Sequence, residues 1–217
     1  LQAQDPVLNE ASIRLGVSLR MTEDQLMRDM LASTSAFVNC TNGVDGDNPT
    51  EITRSDIDLV IRSLRNNNAM PFITGIEGEN KFGTSPVRDA FFALGHTNLI
   101  GQIDQCTGFK QKWEYPNQQS TLEAEHGAVA NFRFLLSSVG SITPTASMLG
   151  ADIYNIFCCG KEAFAAVEMD QYSAQFIYLP PIYSGPLALN ASLGYKFAEV
   201  PRLLQDLWCI NLRATLA

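Results

Sequence analysis

Histidine is scarce: His96 and His126 are the only two in 217 residues. Acid–base chemistry near neutral pH falls most often to histidine, so the chain offers few candidates for it. Positive charge is also scarce, with 15 Lys and Arg against 23 Asp and Glu and a formal net charge of -8. That balance repels phosphate backbones and argues against sequence-independent nucleic-acid binding by the whole chain. No cluster of cations offsets it, since Arg14 and Arg20 are spread along one segment and Lys110 and Lys112 are only a pair. The sequence has no Cys-x-x-Cys pair, no apolar run of membrane-spanning length and no charged-then-apolar signal peptide. It also has no internal repeat and no low-complexity linker between independent domains.

What is present is ordinary globular material, 46% hydrophobic and 18% charged, enough for a sizeable core. Five cysteines, Cys40, Cys106, Cys158, Cys159 and Cys209, form an odd set. They read as reduced, mostly buried thiols in a cytosol-made protein, and adjacency gives Cys158 and Cys159 poor geometry for a mutual disulfide. The triplets Asn39-Cys-Thr41 and Asn190-Ala-Ser192 match a glycosylation pattern of the kind that arises by chance. The chain starts at Leu1 rather than Met, so the expectation is a removed leader or a longer product.

Periodicity places a helix over Asp5–Ser33. Leu8, Ser12, Leu15, Leu19, Leu26 and Met30 recur on one face, and Asp5-Pro6 supplies a start. Unbroken, this helix spans about 40 Å at 1.5 Å per residue. Gly16 and a potential capping box at Thr22-Glu-Asp-Gln25 argue for a break; one long helix is the preferred reading. Asn39–Pro49 is rich in turn dipeptides. Thr53–Arg65 is the clearest helix, capped by Thr53 with Asp56 three residues on and striped by Ile57, Val60, Ile61 and Leu64. Gly75–Gly83 reads as a loop and Phe91–His96 as a buried strand. Thr97–Cys106 reads as a short helix with Leu99, Ile100 and Ile103 inward, and Val129–Ser137 as one strand with Phe132 and Phe134 on one face. Ser141–Ala151 is a loop. Apolar segments at Ile153–Gly160 and Glu162–Met169 flank a glycine, and Leu179-Pro-Pro-Ile-Tyr183 follows. The end of the chain, Gly185–Val200 and Leu203–Arg213, reads as two strands joined by a turn. Leu193, Tyr195 and Phe197 share a face of the first, and Trp208, Ile210 and Leu212 a face of the second. The order is helix, mixed α/β middle, then strands.

Each reactive constellation has a plainer explanation. No catalytic signature surrounds any cysteine, and Cys158-Cys159 lies in an apolar run suited to packing. Glu123-Ala-Glu125-His126 lacks His-x-x-x-His spacing and reads as a solvated turn rather than a metal site. Asp56 and Asp58 sit at a helix start, where carboxylates favour the dipole. Gly75-x-x-Gly78 lacks the strand, lysine and spacing of a phosphate loop. No catalytic, cofactor-binding or metal-binding residue is assigned, and no cofactor is expected.

Six segments, in order, resemble the major capsid proteins of tailed bacteriophages, in particular the N-four-type branch. They are Leu64–Phe72 with Asn-Asn-Ala-Met-Pro-Phe, Phe82–Arg88 running into Phe91–His96, Gly108-Phe109 with Trp113 and Glu123–Val129, Ile156–Val167 with Gly160-Lys-Glu-Ala-Phe164, Leu189–Lys196, and the closing segment to Arg213. None is specific alone; six in sequence are. Tyr195 stands where the family more often has Trp, and His96-Thr97 where it more often has His-Pro. Nothing corresponds to the family's amino-terminal arm and extended hairpin. The resemblance implies an α+β, Hong Kong 97 phage-type capsid fold with a long spine helix, a central α/β lobe and a peripheral strand lobe. Residues 1–40 would carry the spine helix and begin the peripheral lobe, 41–152 the central (axial) lobe, and 153–217 strands that complete the central lobe and return to the periphery. It further implies a non-enzymatic virion protein, assembled in the bacterial host cytoplasm. Copies would associate as hexamers and pentamers in an icosahedral head around double-stranded DNA, without sequence-specific DNA binding and without a membrane. Scaffold, portal and decoration proteins are further expected partners. Alternatives are the shell of a protein-cargo nanocompartment and a mixed α/β enzyme. In a shell, the turn-rich segments Thr41–Asp47 and Gly75–Gly83 are expected to absorb flexing between rings of six and five, and the acidic charge to keep the inner wall from adhering to phosphate.

Overall fold

The computed structural model describes residues 7–44, 46–72, 90–115, 122, 124–148, 150–168, 174–180 and 191–216. Expectations for Asp5-Pro6, the Leu8 side chain, Gly75–Gly83, Phe82–Arg88, residues 181–183, Glu123 and residues 185–190 lie outside them. The chain divides into two compact units, Leu1–Met27 with Ala166–Arg202, and Arg28–Ala165 with Leu203–Ala217.

The larger unit is built on a mixed sheet. Its strands are β1 (Phe37–Asn39), β2 (Phe91–His96), β3 (Phe109–Gln111), β4 (Glu125–Val129), β5 (Phe132–Ser137), β6 (Ile142–Thr143), β7 (Ile153–Cys159) and, from the far end of the sequence, β12 (Cys209–Thr215). Their order is β1-β12-β7-β2-β5-β4-β3, with β6 on β7; β1–β12 and β2–β5 are parallel and the other pairs antiparallel. Two helices cover one face. In α2 (Arg54–Asn66), Ile57, Val60 and Leu64 are fully buried on the four-residue repeat that its spacing predicts. They meet alternate residues of the sheet: Phe91 and Ala93, Phe132 and Phe134, Ile156 and Cys158, Ile210 and Leu212. Each such buried Leu, Ile or Phe contributes roughly 1.5–3 kcal/mol.

The cap of α2 ties down the segment before it. The Asp56 carboxylate accepts from the Thr53 backbone N–H (3.1 Å) and also from the N–H groups of Thr41 (3.1 Å) and Gly43 (2.7 Å). Gly43 has φ +77°, and a Cβ there would lie 2.7 Å from Ser55 Cβ, so glycine is required. The turn-rich segment around Thr41 is thus clamped at the helix start.

Three sequence expectations are corrected in this unit. Thr97–Cys106 forms a 3-10 turn (Thr97–Leu99) and then α3 (Ile100–Gln105). Leu99 and Ile103, four apart, are fully buried, whereas Ile100 sits about 100° round the helix from Leu99 and is exposed. Val129–Ser137 is not one strand. Val129 ends β4 and Phe132 opens β5, opposite it in register, across a two-residue turn at Ala130-Asn131. Ala130 takes φ 52° without the glycine that usually marks such a hairpin, which left the turn invisible in the sequence. The closing segments do not pair as two strands joined by a turn. They form three strands in three sheets: β10 (Ser192–Lys196) pairs β9 (Gln175–Leu179), β11 (Glu199–Leu203) pairs β8 (Phe164–Glu168), and β12 joins the large sheet. Trp208 precedes β12 in a 3-10 turn, Asp206–Trp208.

The smaller unit holds β9, β10, most of β8 and β11, and most of α1 (Val7–Ala32). α1 runs unbroken through Gly16 and Thr22. Instead of opening a second helix, Thr22 donates its hydroxyl back to the Ser18 carbonyl (2.9 Å), and the same oxygen lies 3.3 Å from the Tyr195 hydroxyl on β10.

Candidate assembly surface

Among the described residues of the larger unit, Glu125, Arg133, Tyr115 and both histidines are engaged in hydrogen bonds or ring contacts. Glu125 and Arg133 are buried on neighbouring strands. Arg133 Nε donates to Glu125 Oε1 at 2.8 Å, and its Nη2 closes a second bond to Oε2. Tyr115 Oη (3.0 Å) and the Leu122 N–H (3.1 Å) donate to the same carboxylate. Burial pushes the Glu125 carboxyl up, but these donors, Arg133 foremost, outweigh it and hold it below its usual range. Burial first, and then the Glu125 charge, pushes the Tyr115 phenol up. Sequence reading placed Glu125 in a solvated turn; it is instead the acceptor of a buried cluster on β4. His126, one residue on, faces the other way, stacked on Phe109 and 2.7 Å from Asp104 Oδ1. His96 accepts the Asn98 N–H at Nδ1 (3.0 Å) and meets Tyr154 edge-on.

All five cysteines are free and buried. Strand alternation sends Cys158 into the core beneath α2 and α3 and Cys159 to the opposite face of the sheet. Burial pushes the Cys40, Cys106 and Cys158 thiols up, away from nucleophilic use. Among the described residues, no three His, Cys, Asp or Glu side chains converge as metal ligands, and no helix is long and apolar enough to cross a membrane. Asp58 pairs with Arg54 at 3.0 Å.

The smaller unit presents a different surface. Along α1, Ile13 (63% exposed), Val17 (54%) and Met21 (43%) recur every four residues. They lie roughly opposite Leu19, which is buried. The expected stripe is only partly covered: Leu15 is half-buried and Leu26 exposed. On β9 every residue is exposed, including four consecutive large apolar ones, Phe176, Ile177, Tyr178 and Leu179. Ile13, Gly16, Val17, Leu19, Arg20, Glu23 and Phe176 line a groove of about 420 Å³. Val167 on β8 and Val200 on β11 are also exposed. Scattered exposed hydrophobes are normal, but an apolar helix stripe beside an apolar strand is the kind of contiguous patch that marks a contact surface. The sequence signal was available: Ile13, Val17 and Met21 have the same spacing as the predicted stripe, on the other side of the helix.

No family model matches the chain, and no curated protein matches it. Solved structures do. The chain overlays the head structure of Helicobacter pylori bacteriophage KHP40 with a TM-score of 0.64 at 11% identity, covering 97% of this chain and 68% of that one. It overlays Mycobacterium phage Che8 at 0.57 and 11% identity, covering 94% and 62%. For the acidic stable capsid structure of Helicobacter pylori bacteriophage KHP30 the values are 0.56 and 12%, covering 96% and 69%. The chain therefore spans about two-thirds of the length of these structures, and its α+β fold, a long amino-terminal helix with a mixed sheet, is the fold of phage capsid proteins.

Proposed function

We propose that this chain is a structural subunit of a tailed-bacteriophage head, a major capsid protein of the N-four-type branch that assembles with its own copies into an icosahedral shell around double-stranded DNA. The observation that carries this is the pairing of a phage-head fold over 94–97% of the chain with an exposed apolar α1–β9 surface of the kind that marks contact sites. Shell subunits join through obligate interfaces, which bury about 2,000 Å² or more and are richer in apolar side chains than transient ones. Hexamers and pentamers of the chain are the proposed assemblies, and scaffold, portal and decoration proteins the proposed partners. In this reading α1 is the spine helix, the smaller unit the peripheral lobe and the larger unit the central, axial lobe. The role is structural rather than catalytic, its place is the virion head, and assembly takes place in the bacterial host cytoplasm.

Electron microscopy of particles built from the chain, with extraction of their contents, tests the proposal. Closed polyhedral shells containing double-stranded DNA are expected. Shells filled with enzyme would instead make the chain a nanocompartment protein, and free monomers or dimers at all concentrations would overturn a shell role altogether.

A further inference from the structure

We propose that Cys159 and Cys209 are a cross-strand disulfide site that staples the larger unit at the point where the chain leaves it and returns. Cys159 is the last residue of β7 and Cys209 the first of β12, and they stand directly opposite in the antiparallel register. The next pair outward, Gly160 and Trp208, is joined by the Gly160 N–H to Trp208 carbonyl bond at 3.0 Å. Hydrogen-bonded and non-hydrogen-bonded pairs alternate along such a ladder, so Cys159 and Cys209 form a non-hydrogen-bonded pair, the kind whose Cα atoms approach to about 4.5 Å. That is within the span a disulfide bridges, about 4.4–6.8 Å between Cα atoms. The sulfurs are 3.0 Å apart with both side chains buried. The neighbouring thiol is excluded by the pleat, since Cys158 faces the core on the other side of the sheet and lies opposite Ile210.

The position gives the bond a purpose. Between Cys159 and Cys209 the chain makes one excursion that includes β8, β9, β10 and β11 and supplies residues Ala166–Arg202 of the smaller unit. A Cys159–Cys209 bond closes that excursion at its base and removes its freedom from the unfolded chain. In the step, the two S–H bonds break, one S–S bond forms, and two protons and two electrons pass to an oxidant such as glutathione disulfide, which leaves as two thiols. The thiolate must attack, and the shared hydrogen with Cys209 together with burial holds the Cys159 thiol up. The bond therefore forms fastest while the sheet is still closing, and once formed it is shielded from reduction.

The test is disulfide mapping of the full chain, oxidised with glutathione disulfide both in the folded state and during refolding from urea, so that burial alone does not keep oxidant from thiol. After alkylation under denaturing conditions, the expected product is lighter than the fully alkylated dithiol form by the two alkyl groups that Cys159 and Cys209 no longer carry. It should carry one linked peptide pair, Cys159–Cys209, with Cys40, Cys106 and Cys158 alkylated, and Cys209→Ser should abolish the bond without diverting it to Cys158. Full alkylation of Cys159 and Cys209 in both arms overturns the proposal. So does a scramble in which Cys158, Cys40 or Cys106 pairs as readily.

Discussion

The two units spend their apolar residues in opposite ways. In the larger one, α2, α3 and one face of the sheet close on each other, so that Ile57, Val60, Leu99, Ile103, Phe132 and Ile156 lose nearly all contact with solvent. In the smaller one, Leu19 is buried but Ile13, Val17, Met21, Phe176 and Leu179 stay in contact with solvent. The larger unit closes a core of its own, with Phe37, Trp113 and Leu204 left exposed outside it. Among the described residues of the smaller one only Leu19 is a buried apolar side chain, and in the proposed shell neighbouring copies cover the exposed ones. Substitutions should therefore separate assembly from stability according to the unit they strike.

The largest effect is expected on the smaller unit's surface. Val17→Asp should abolish particle formation as read by sedimentation. It should change the urea midpoint of the dissociated chain little, by about 0.5 kcal/mol or less, because Val17 is exposed there. A comparable loss of fold stability would erase the distinction between the units.

Next comes the buried cluster of the larger unit. Arg133→Met leaves the buried Glu125 carboxylate without its counter-charge and should cost about 3–5 kcal/mol in urea unfolding. Adding Glu125→Leu should recover part of that loss, because it removes the uncompensated charge although Tyr115 Oη and the Leu122 N–H lose their acceptor. A single and a double variant of equal stability would contradict the pairing.

Gly140→Ala is smaller. A Cβ there would meet the His96 backbone at 2.6 Å, and overpacking of this kind costs about 1–3 kcal/mol. Asp56→Ala should cost about 1 kcal/mol through lost capping, with faster proteolysis near Thr41 and Gly43, whose N–H groups it holds. Unchanged cleavage there would show that the clamp does not restrain the segment.

Acid should act gradually on the larger unit. Glu125 is held low chiefly by Arg133, and Asp206 by the hydroxyls of Ser35 and Thr34. Carboxyls held low when folded contribute stability that is fully present above their ordinary range and is lost as pH falls through the folded values. Thermal unfolding should therefore weaken below about pH 4, less so in Glu125→Gln, which removes one of the two groups.

Much of this contrast was legible in the sequence where one periodicity ruled a segment. The stripe of α2, its Thr53–Asp56 cap and the bounds of β2 were all readable, because local pattern and tertiary burial agree there. The β4–β5 hairpin was hidden because Ala130 adopts a left-handed turn that glycine usually signals. The closing strands were mispaired because β10, β11 and β12 find partners far away in sequence. On α1 the predicted stripe fixed one face and drew attention from the second, Ile13, Val17 and Met21. A pattern reports that a face is apolar, but not whether this chain or another covers it.

Oxidative footprinting of Met21, Phe176 and Tyr178, compared between assembled particles and dissociated chain, tests that cover directly. Modification of all three should fall several-fold on assembly. Equal modification in the two states would mean that this surface stays open to water, and the smaller unit would then not be the contact between subunits.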